Sequence, residues 1–166
     1  RMYRIRLNDP CNLRLDGKAL IDGTAWDYAY VELGDPGIPH AVVPVKNLRD
    51  FDTAKLRELG RRLRYYPEFP KGANVNFYEI IGPDHIYERT YERGVEDFTY
   101  ACGTGTGSVV TVLTLLGKVS GHQVRVDMTG GQLMVDVERE GNQVTNLYLT
   151  GPTNIVCKGE ITDEAL

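Results

Sequence analysis

The sequence has few cysteines and no paired cysteine motif, which limits its redox and metal chemistry. Its three cysteines, Cys11, Cys102 and Cys157, are odd in number and never stand in a Cys-x-x-Cys spacing. A disulfide framework needs paired cysteines and a structural zinc site needs closely spaced ligands, so the pattern favours neither. No cluster has metal-ligand spacing. We therefore expect reduced thiols in a cytosolic protein, with no metal.

Long apolar runs and basic blocks are also missing. The longest nearly apolar run falls far short of the ~20 residues that cross a bilayer, and residues 1–6 contain no apolar signal segment. Charge is balanced at 19 basic against 23 acidic residues, without a basic stripe, which argues against nucleic acid and membrane as partners. With 166 residues and no Ser/Gly linker, the chain is expected to form a single domain, 1–166.

Alternating apolar and polar residues predict a chain rich in strands. The predicted strands cover 2–7, 12–20, 26–33, 39–45, 73–81, 85–91, 124–128, 133–138, 144–149 and 155–157, followed by an acidic tail at 159–166. Asp16-Gly17 predicts a hairpin turn inside the second strand, and Gly82-Pro83-Asp84 predicts another between the fifth and sixth.

Two helices are predicted, and they differ in how much of their surface is apolar. The first lies within 48–65, where Asp52 or Thr53 can cap it and leucines at 56, 59 and 63 share one face. The second follows Cys102, and its run 109–116 has no charged residue, so it must be buried on most faces. We therefore expect an α+β fold, with a mixed, mostly antiparallel curved sheet wrapped around a central buried helix, plus one surface helix.

The stretch 91–108 carries the sharpest chemical signal in the sequence. Cys102 is followed by glycines at 103, 105 and 107 and then by the uncharged helix. A helix start offers free backbone N–H groups and positive dipole charge, which hold anions and give a cysteine thiolate character. The glycines allow the backbone to approach a ligand closely. A merely structural cysteine does not need these three glycines, so we favour a functional Cys102.

The same turn mimics a dinucleotide-binding fingerprint. Gly103, Gly105 and Gly107 alternate before a helix, and Asp127 follows roughly 20 residues later. However, residues 96–100 do not have the pattern of a buried parallel strand, and the sixth position is Ser108 rather than Gly or Ala. The sequence therefore favours cysteine chemistry over nucleotide binding.

Other polar residues stand where they can serve the same site. Glu92 and Arg93 precede the cysteine turn; a carboxylate can orient or deprotonate a thiol, and a guanidinium can bind a carboxylate bidentately. His40 begins an apolar strand, where a lone histidine is more often structural than catalytic. Asn74 and Asn76 face the same side of one strand, and either a ligand or a polar sheet face accounts for them.

Several motifs together resemble the carboxyl-terminal half of diaminopimelate epimerase. They are Gly72-Ala-Asn-Val-Asn-Phe77, Arg89-Thr-Tyr-Glu-Arg-Gly-Val95 and Ala101-Cys-Gly-Thr-Gly105, with Gly37-Ile-Pro-His40 upstream and Thr150-Gly-Pro152 downstream. The resemblance extends from about residue 31 to residue 161. Proline racemases share the Cys-Gly-Thr-Gly turn, whereas the Tyr-Glu-Arg-Gly element favours diaminopimelate epimerase.

The resemblance implies a cofactor-independent isomerase of lysine biosynthesis that interconverts L,L- and meso-diaminopimelate. Such enzymes have two similar domains that face each other across a cleft, and each contributes one cysteine. A thiolate removes the α-proton from one face, while a thiol delivers a proton to the other. By match, Cys102 would be one acid/base cysteine, Glu92 its partner, and His40 the partner of the opposite cysteine.

The resemblance also assigns the groups that hold the substrate. Gly103 and Thr104 would offer backbone N–H groups to the reacting α-carboxylate. Arg93 and Asn74 would hold the distal end of diaminopimelate. Ile38 stands where the family often has Asn, and Phe98 where many members have Glu, so the distal contacts and the loop packing differ here.

The opposite cysteine, which the family carries in a Cys-Gly-Asn-Gly turn, is missing. Neither Cys11 nor Cys157 is followed by a glycine turn. We therefore expect the chain to be the second domain alone, inactive without its N-terminal domain. The face that the other domain would cover should be partly apolar, and a homodimer formed through it is one expectation. The alternatives are a non-catalytic module that binds an amino acid or a protein, and another cofactor-independent racemase related to proline racemase.

Overall fold

The computed structural model describes residues 1–165, which form ten strands, two α-helices and a short 3₁₀ turn. In chain order these are β1 (Met2–Arg6), β2 (Pro10–Ile21), β3 (Thr24–Leu33), β4 (Ile38–Pro44), α1 (Thr53–Arg64), β5 (Asn74–Gly82), β6 (His85–Glu92), β7 (Asp97–Thr99), α2 (Gly103–Leu115), β8 (Val124–Met128), β9 (Gly131–Glu140), β10 (Gln143–Pro152) and the 3₁₀ turn Asp163–Ala165. The predicted acidic tail ends at Leu166, which lies outside the described residues.

All ten strands join one sheet, in the order β1-β10-β9-β8-β6-β5-β4-β3-β2, with β7 paired to β6 off this path. The pairs β4–β5 and β6–β8 are parallel, and the other pairs within residues 1–165 are antiparallel. Parallel neighbours need a crossover connection, which α1 provides for the first pair and α2 for the second. The predicted α+β class with a mixed, mostly antiparallel sheet is confirmed.

Helix α1 is capped by Asp52, whose carboxylate accepts a hydrogen bond from Lys55 N at 2.8 Å. Its apolar face is the predicted one, because Leu56, Leu59 and Leu63 are buried. These leucines pack in an apolar cluster with residues of the sheet, among them Val75 and Phe77 of β5.

Helix α2 is buried from Gly105 through Thr114, as its lack of charge predicts. It contacts β2, β3, β4, β5, β9 and β10, which come from both ends of the strand order. Its valines and Leu113 form the second apolar cluster with the strands. No helix in residues 1–165 has both the length and the apolar character to cross a membrane.

The predicted hairpin turn at Asp16-Gly17 is wrong, because β2 continues through it and the chain reverses at Asp22-Gly23. Gly17 pairs with Tyr28 across the strands, at a point where the register shifts. A Cβ at position 17 would lie 2.3 Å from the Tyr28 ring. The glycine therefore makes room for an aromatic ring rather than forming a turn.

The predicted last strand at 155–157 is also wrong. Residues 153–162 contain no strand, and Ile155 and Val156 are 70% and 91% exposed. The pairing of β10 with β1 ends with a bond from Thr153 N to Arg1 O. Within residues 1–165, no strand pairs with residues 155–157.

Candidate active site

Cys102 lies at the amino terminus of α2, where the chain leaves β7 and enters the helix. Its backbone is extended (φ −139°, ψ 102°), and its carbonyl oxygen accepts from Thr106 N at 2.8 Å. That bond begins the intrahelical ladder, so the N–H groups of Gly103 and Thr104 have no acceptor within the helix. Both can therefore bind an anion at the positive end of the helix dipole.

The Cys102 thiol is half-buried, and this burial is the main cause that raises its pKa above the ordinary value of 9.0. The carboxylates of Glu92 and, when ionised, Glu88 raise it further, whereas the Gly105 N–H and the Thr104 hydroxyl, 3.7 Å from Sγ, lower it. The expectation of increased thiolate character is therefore wrong, because burial outweighs the helix start. At neutral pH, Cys102 is a thiol.

His40 connects β4 to the start of α2 and is fully buried. Its Nδ1 lies 3.0 Å from Asn76 Nδ2, and its Nε2 lies 3.1 Å from Thr104 Oγ1. Because the Asn76 amide nitrogen also donates to Ala41 O, at 3.3 Å, it is a donor to Nδ1, and Nε2 carries the histidine proton toward Thr104. Burial lowers the pKa of His40 to about 3, so the ring is neutral.

The glycines after Cys102 face protein atoms rather than an open ligand space. A Cβ at Gly105 would lie 2.2 Å from Asn76 Oδ1, and one at Gly107 would lie 2.7 Å from Leu7 Cδ1. At Gly103, the neighbour within 4 Å is Leu149 Cδ2, at 3.0 Å. Close packing against neighbouring side chains therefore explains Gly105 and Gly107. The sequence pattern predicts instead that all three glycines let a ligand approach the backbone.

Asn74 and Arg93 lie next to each other. Asn74 is buried; its Oδ1 accepts from Arg93 N at 2.8 Å and its Nδ2 donates to Pro39 O at 3.2 Å. The Arg93 guanidinium is exposed and donates to Lys71 O at 2.8 Å. Among the described residues it forms no salt bridge with a carboxylate. Asn74 thus fixes the backbone of Arg93 and leaves the guanidinium charge available.

One face of β6 carries Glu88, Thr90 and Glu92, since alternate residues of a strand point the same way. Glu92 is half-buried, and its negative charge raises the pKa of the Cys102 thiol. Thr90 Oγ1 donates to Asn76 Oδ1 at 3.0 Å, and Glu88 contacts the Thr106 hydroxyl. Sequence reasoning missed Glu88, Thr90 and Thr106, although polar residues at every second position of an otherwise buried strand were a usable signal.

The structure contradicts the dinucleotide-binding alternative. The strand before the glycine turn, β7, is antiparallel to β6, whereas the fingerprint needs a parallel strand that leads into the helix. Asp127, the acidic residue of the fingerprint, is already paired within the protein, because its Oδ2 lies 2.8 Å from His85 Nε2 and 3.2 Å from Arg49 Nη2. No group of three or more His, Cys, Asp or Glu residues is placed to hold a metal ion in the part of the chain that the structure describes.

The two departures from the family pattern lie in different surroundings. Ile38 begins β4 and is 36% exposed. The Phe98 ring lies 6.3 Å from that of Phe77 and 6.0 Å from that of Tyr91, with the Arg89 guanidinium 4.2 Å above it. Phe98 therefore packs with the apolar cluster of α1.

The fold is similar to those of two solved structures. A hydroxyproline epimerase from Agrobacterium vitis superimposes with a TM-score of 0.69 at 19% identity, over 90% of this chain and 49% of that one. A probable proline racemase from Agrobacterium radiobacter gives 0.65 at 21% identity, over 90% and 50%. At these identities the similarity shows a shared fold.

Sequence comparison is more specific. The diaminopimelate epimerase of Chlorobaculum tepidum is 41% identical over 160 residues, which cover 96% of this chain and 58% of that protein. Those of Leptospira biflexa and Aquifex aeolicus are 37% and 40% identical, over 85% and 78% of this chain and 46% and 45% of theirs. The chain thus spans about half the length of the curated relatives it matches. The family model for diaminopimelate epimerase matches residues 34–156, and the chain belongs to the diaminopimelate epimerase family.

Proposed function

We propose that this chain is the second domain of a diaminopimelate epimerase, which interconverts L,L- and meso-diaminopimelate in lysine biosynthesis when joined to a first domain. One observation carries the proposal. Cys102 begins a buried helix beside two free N–H groups, in a chain that matches diaminopimelate epimerases along most of its own length. The contacts of α2 with strands from both ends of the sheet order support a curved sheet around that helix.

In this proposal, Cys102 exchanges a proton with the α-carbon of the substrate without a cofactor. Because Cys102 rests as a thiol, it is ready to donate its proton to the α-carbanion. In the reverse direction, the Glu92 carboxylate accepts the thiol proton, and the thiolate then removes the α-proton. The N–H groups of Gly103 and Thr104 bind the α-carboxylate, where negative charge develops.

The distal end of diaminopimelate is assigned to Arg93 and Asn74. The exposed Arg93 guanidinium binds the distal carboxylate, and Asn74 holds the Arg93 backbone in place. His40 is assigned to the cysteine of the first domain. Its Nε2 then exchanges the bond with Thr104 Oγ1 for one with the opposite thiol.

Deuterium exchange tests the two-domain proposal. The chain alone, and the chain joined to a first domain with a Cys-Gly-Asn-Gly turn, are incubated with L,L-diaminopimelate in D₂O. We expect α-deuterium and the meso product from the joined protein alone. Cys102→Ala should abolish both, whereas the matched control Cys157→Ala, in the exposed carboxyl-terminal segment, should retain them. Reading the gene upstream of Arg1 adds a check, since a first domain needs roughly 100 further residues.

Each other outcome points to a different function. Epimerisation by the chain alone would overturn the two-domain mechanism. Substrate binding without exchange in the joined protein would favour a non-catalytic binding module. Exchange of L-proline in place of diaminopimelate would favour an activity like that of the racemase and epimerase that share the fold.

A further inference from the structure

A buried acid lies behind the cysteine turn and has no role in the mechanism above. Glu88 of β6 is 1% exposed, and its Oε1 contacts the hydroxyl of Thr106 in the first turn of α2. Its Oε2 has no hydrogen-bond partner among the described residues. An ionised carboxylate here would be costly, because burial shields Glu88 from bulk solvent and no basic side chain of residues 1–165 pairs with it.

The hydroxyl of Thr106 has one proton and two neighbours that can accept it. Thr106 Oγ1 contacts Glu88 and also lies 3.0 Å from Cys102 O. If Glu88 were ionised, the carboxylate and the carbonyl would compete for that single proton. If Glu88 is protonated, its O–H donates to Thr106 Oγ1, and the Thr106 proton is free for Cys102 O. Only the protonated acid satisfies both contacts.

We propose that Glu88 is a neutral carboxylic acid and a positioning residue, which acts through the Thr106 hydroxyl to hold the Cys102 carbonyl at the start of α2. Its effect on catalysis rests on the proposed function, because it acts on the cysteine assigned to proton transfer. The protonation state and the hydrogen bonds are properties of this chain and can be tested without the epimerase substrate.

The surroundings of Glu88 support the neutral form. Burial raises the pKa of Glu88 to about 8, and the contact with Thr106 lowers it only in part. Its register neighbour on β5 is Tyr78, Cys102 faces it from the start of α2, and Glu92 follows on its own strand. All three are neutral or acidic, so none stabilises a carboxylate at this position.

Ionisation of Glu88 would alter Cys102 in two ways. The carboxylate would take the Thr106 proton and remove the bond to Cys102 O. Its negative charge would also raise the pKa of the Cys102 thiol. Because the Cys102 pKa already lies above 9.0, Glu88 titrates first as the pH rises. Alkaline pH should therefore loosen the helix start before the thiolate forms.

Carbon-13 NMR of glutamate carboxyl groups tests the protonation state directly. In the chain labelled at the glutamate side-chain carboxyl, one resonance should titrate with a midpoint near pH 8 and be absent from Glu88→Gln. Thr106→Ser, which keeps the hydroxyl, should shift this resonance without removing it and so confirms the assignment if Glu88→Gln is poorly folded. A Glu88 midpoint below about pH 5, the ordinary range for glutamate, would overturn the proposal.

Alkylation of Cys102 tests the positioning role. Iodoacetamide labelling is followed by mass spectrometry of the Cys102 peptide, which excludes Cys11 and Cys157. Glu88→Gln should match the wild type within about twofold at pH 7, and above pH 8.5 it should react several-fold faster because the added charge is gone. A rate about fivefold or more above wild type at pH 7 would show an ionised Glu88 and overturn the proposal.

A pair of variants separates positioning from simple packing. Thr106→Ser should keep the wild-type pH profile of labelling. Thr106→Val removes the hydroxyl, so it should change the labelling rate already at pH 7 and move the inflection above pH 8, because the contact with Thr106 lowers the Glu88 pKa. The double variant Glu88→Leu/Thr106→Val replaces the pair with apolar groups and should fold, with a single alkaline step from the thiol itself. An inflection near pH 8 that persists in Glu88→Gln would also overturn the proposal, because another group would then cause it.

Discussion

Replacing Gly105 with alanine tests whether α2 packs against Asn76 as closely as the structure shows. Gly105 lies in the first turns of α2 with no positive φ, so alanine fits its backbone. Its Cβ, however, would lie 2.2 Å from Asn76 Oδ1 and 3.1 Å from Cys102 Sγ. Asn76 is fully buried, and its amide holds His40, Thr90 and Ala41 O, so it cannot move without losing hydrogen bonds.

The sizes of three opposing free-energy terms decide whether this substitution stabilises or destabilises the protein. Alanine gains about 1 kcal/mol over glycine in a helix interior. Overpacking a buried site costs about 1–3 kcal/mol, and each lost hydrogen bond of Asn76 costs about 1 kcal/mol more. We therefore expect Gly105→Ala to lower the free energy of unfolding by about 1–3 kcal/mol after the propensity gain. Displacement of Asn76 should also free His40, whose ring resonances should shift.

Gly107→Ala is the matched control in the same helix. Its Cβ would meet Leu7 Cδ1 at 2.7 Å and Leu147 Cδ2 at 3.2 Å, which are the ends of flexible side chains. Its stability should stay within about 1 kcal/mol of the wild type, because the propensity gain offsets a small repacking cost. Urea unfolding followed by circular dichroism measures both variants. Equal stability of Gly105→Ala and Gly107→Ala would refute the proposed contact with Asn76.

Two further substitutions test a helix cap and the distal substrate site. Asp52→Ala should destabilise α1 by about 1 kcal/mol, since it removes the bond to Lys55 N; thermal unfolding checks this, and an unchanged Tm would contradict the cap. In the joined enzyme, Arg93→Ala should raise KM for diaminopimelate about 10–100-fold through loss of a charge-assisted hydrogen bond. Steady-state kinetics measures this, with exposed Arg61→Ala, which removes only an ion pair within α1, as the control that should leave KM unchanged.

The parts of the fold that local patterns control were predictable from the sequence. The uncharged run 109–116 required a buried helix, and the leucines of α1 required an apolar face, and both are present. Gly17 was misassigned because its cause is a ring on the neighbouring strand, which no local pattern reveals. Glycines in a strand or helix can thus accommodate a distant side chain as readily as they form a turn or a ligand site.

The same limit applies to the candidate site. Motifs predict Cys102, Glu92, Arg93, Asn74 and His40 as site residues, and these residues lie at the start of α2 and at the adjoining strand ends. Motifs could not reveal that burial raises the Cys102 pKa, since desolvation depends on how the turn packs. They also could not pair Glu88 with Thr106, because that contact joins a strand to a helix 18 residues later.

Glu88 and His40 should give the stability of the chain opposite dependences on pH. The pKa of Glu88 is raised to about 8 in the folded state, so between pH 4.5 and 8 the folded chain binds a proton that the unfolded chain has released. Its contribution is therefore full below pH 4.5 and is lost as the pH rises through 8. The pKa of His40 is lowered to about 3, so its contribution is full above pH 6.5 and is lost as the pH falls.

Variants separate the two contributions. Each group changes the free energy of unfolding by at most about 1.4 kcal/mol per pH unit within its window, and the two slopes oppose each other between pH 4.5 and 6.5. The advantage of wild type over Glu88→Gln should therefore shrink from pH 5 to 8, whereas its advantage over His40→Gln should grow from pH 4 to 6.5. Urea unfolding at each pH measures both differences. Parallel curves for wild type and Glu88→Gln would show that the Glu88 pKa is the same in the folded and unfolded states. That result would contradict the pKa rise expected from burial.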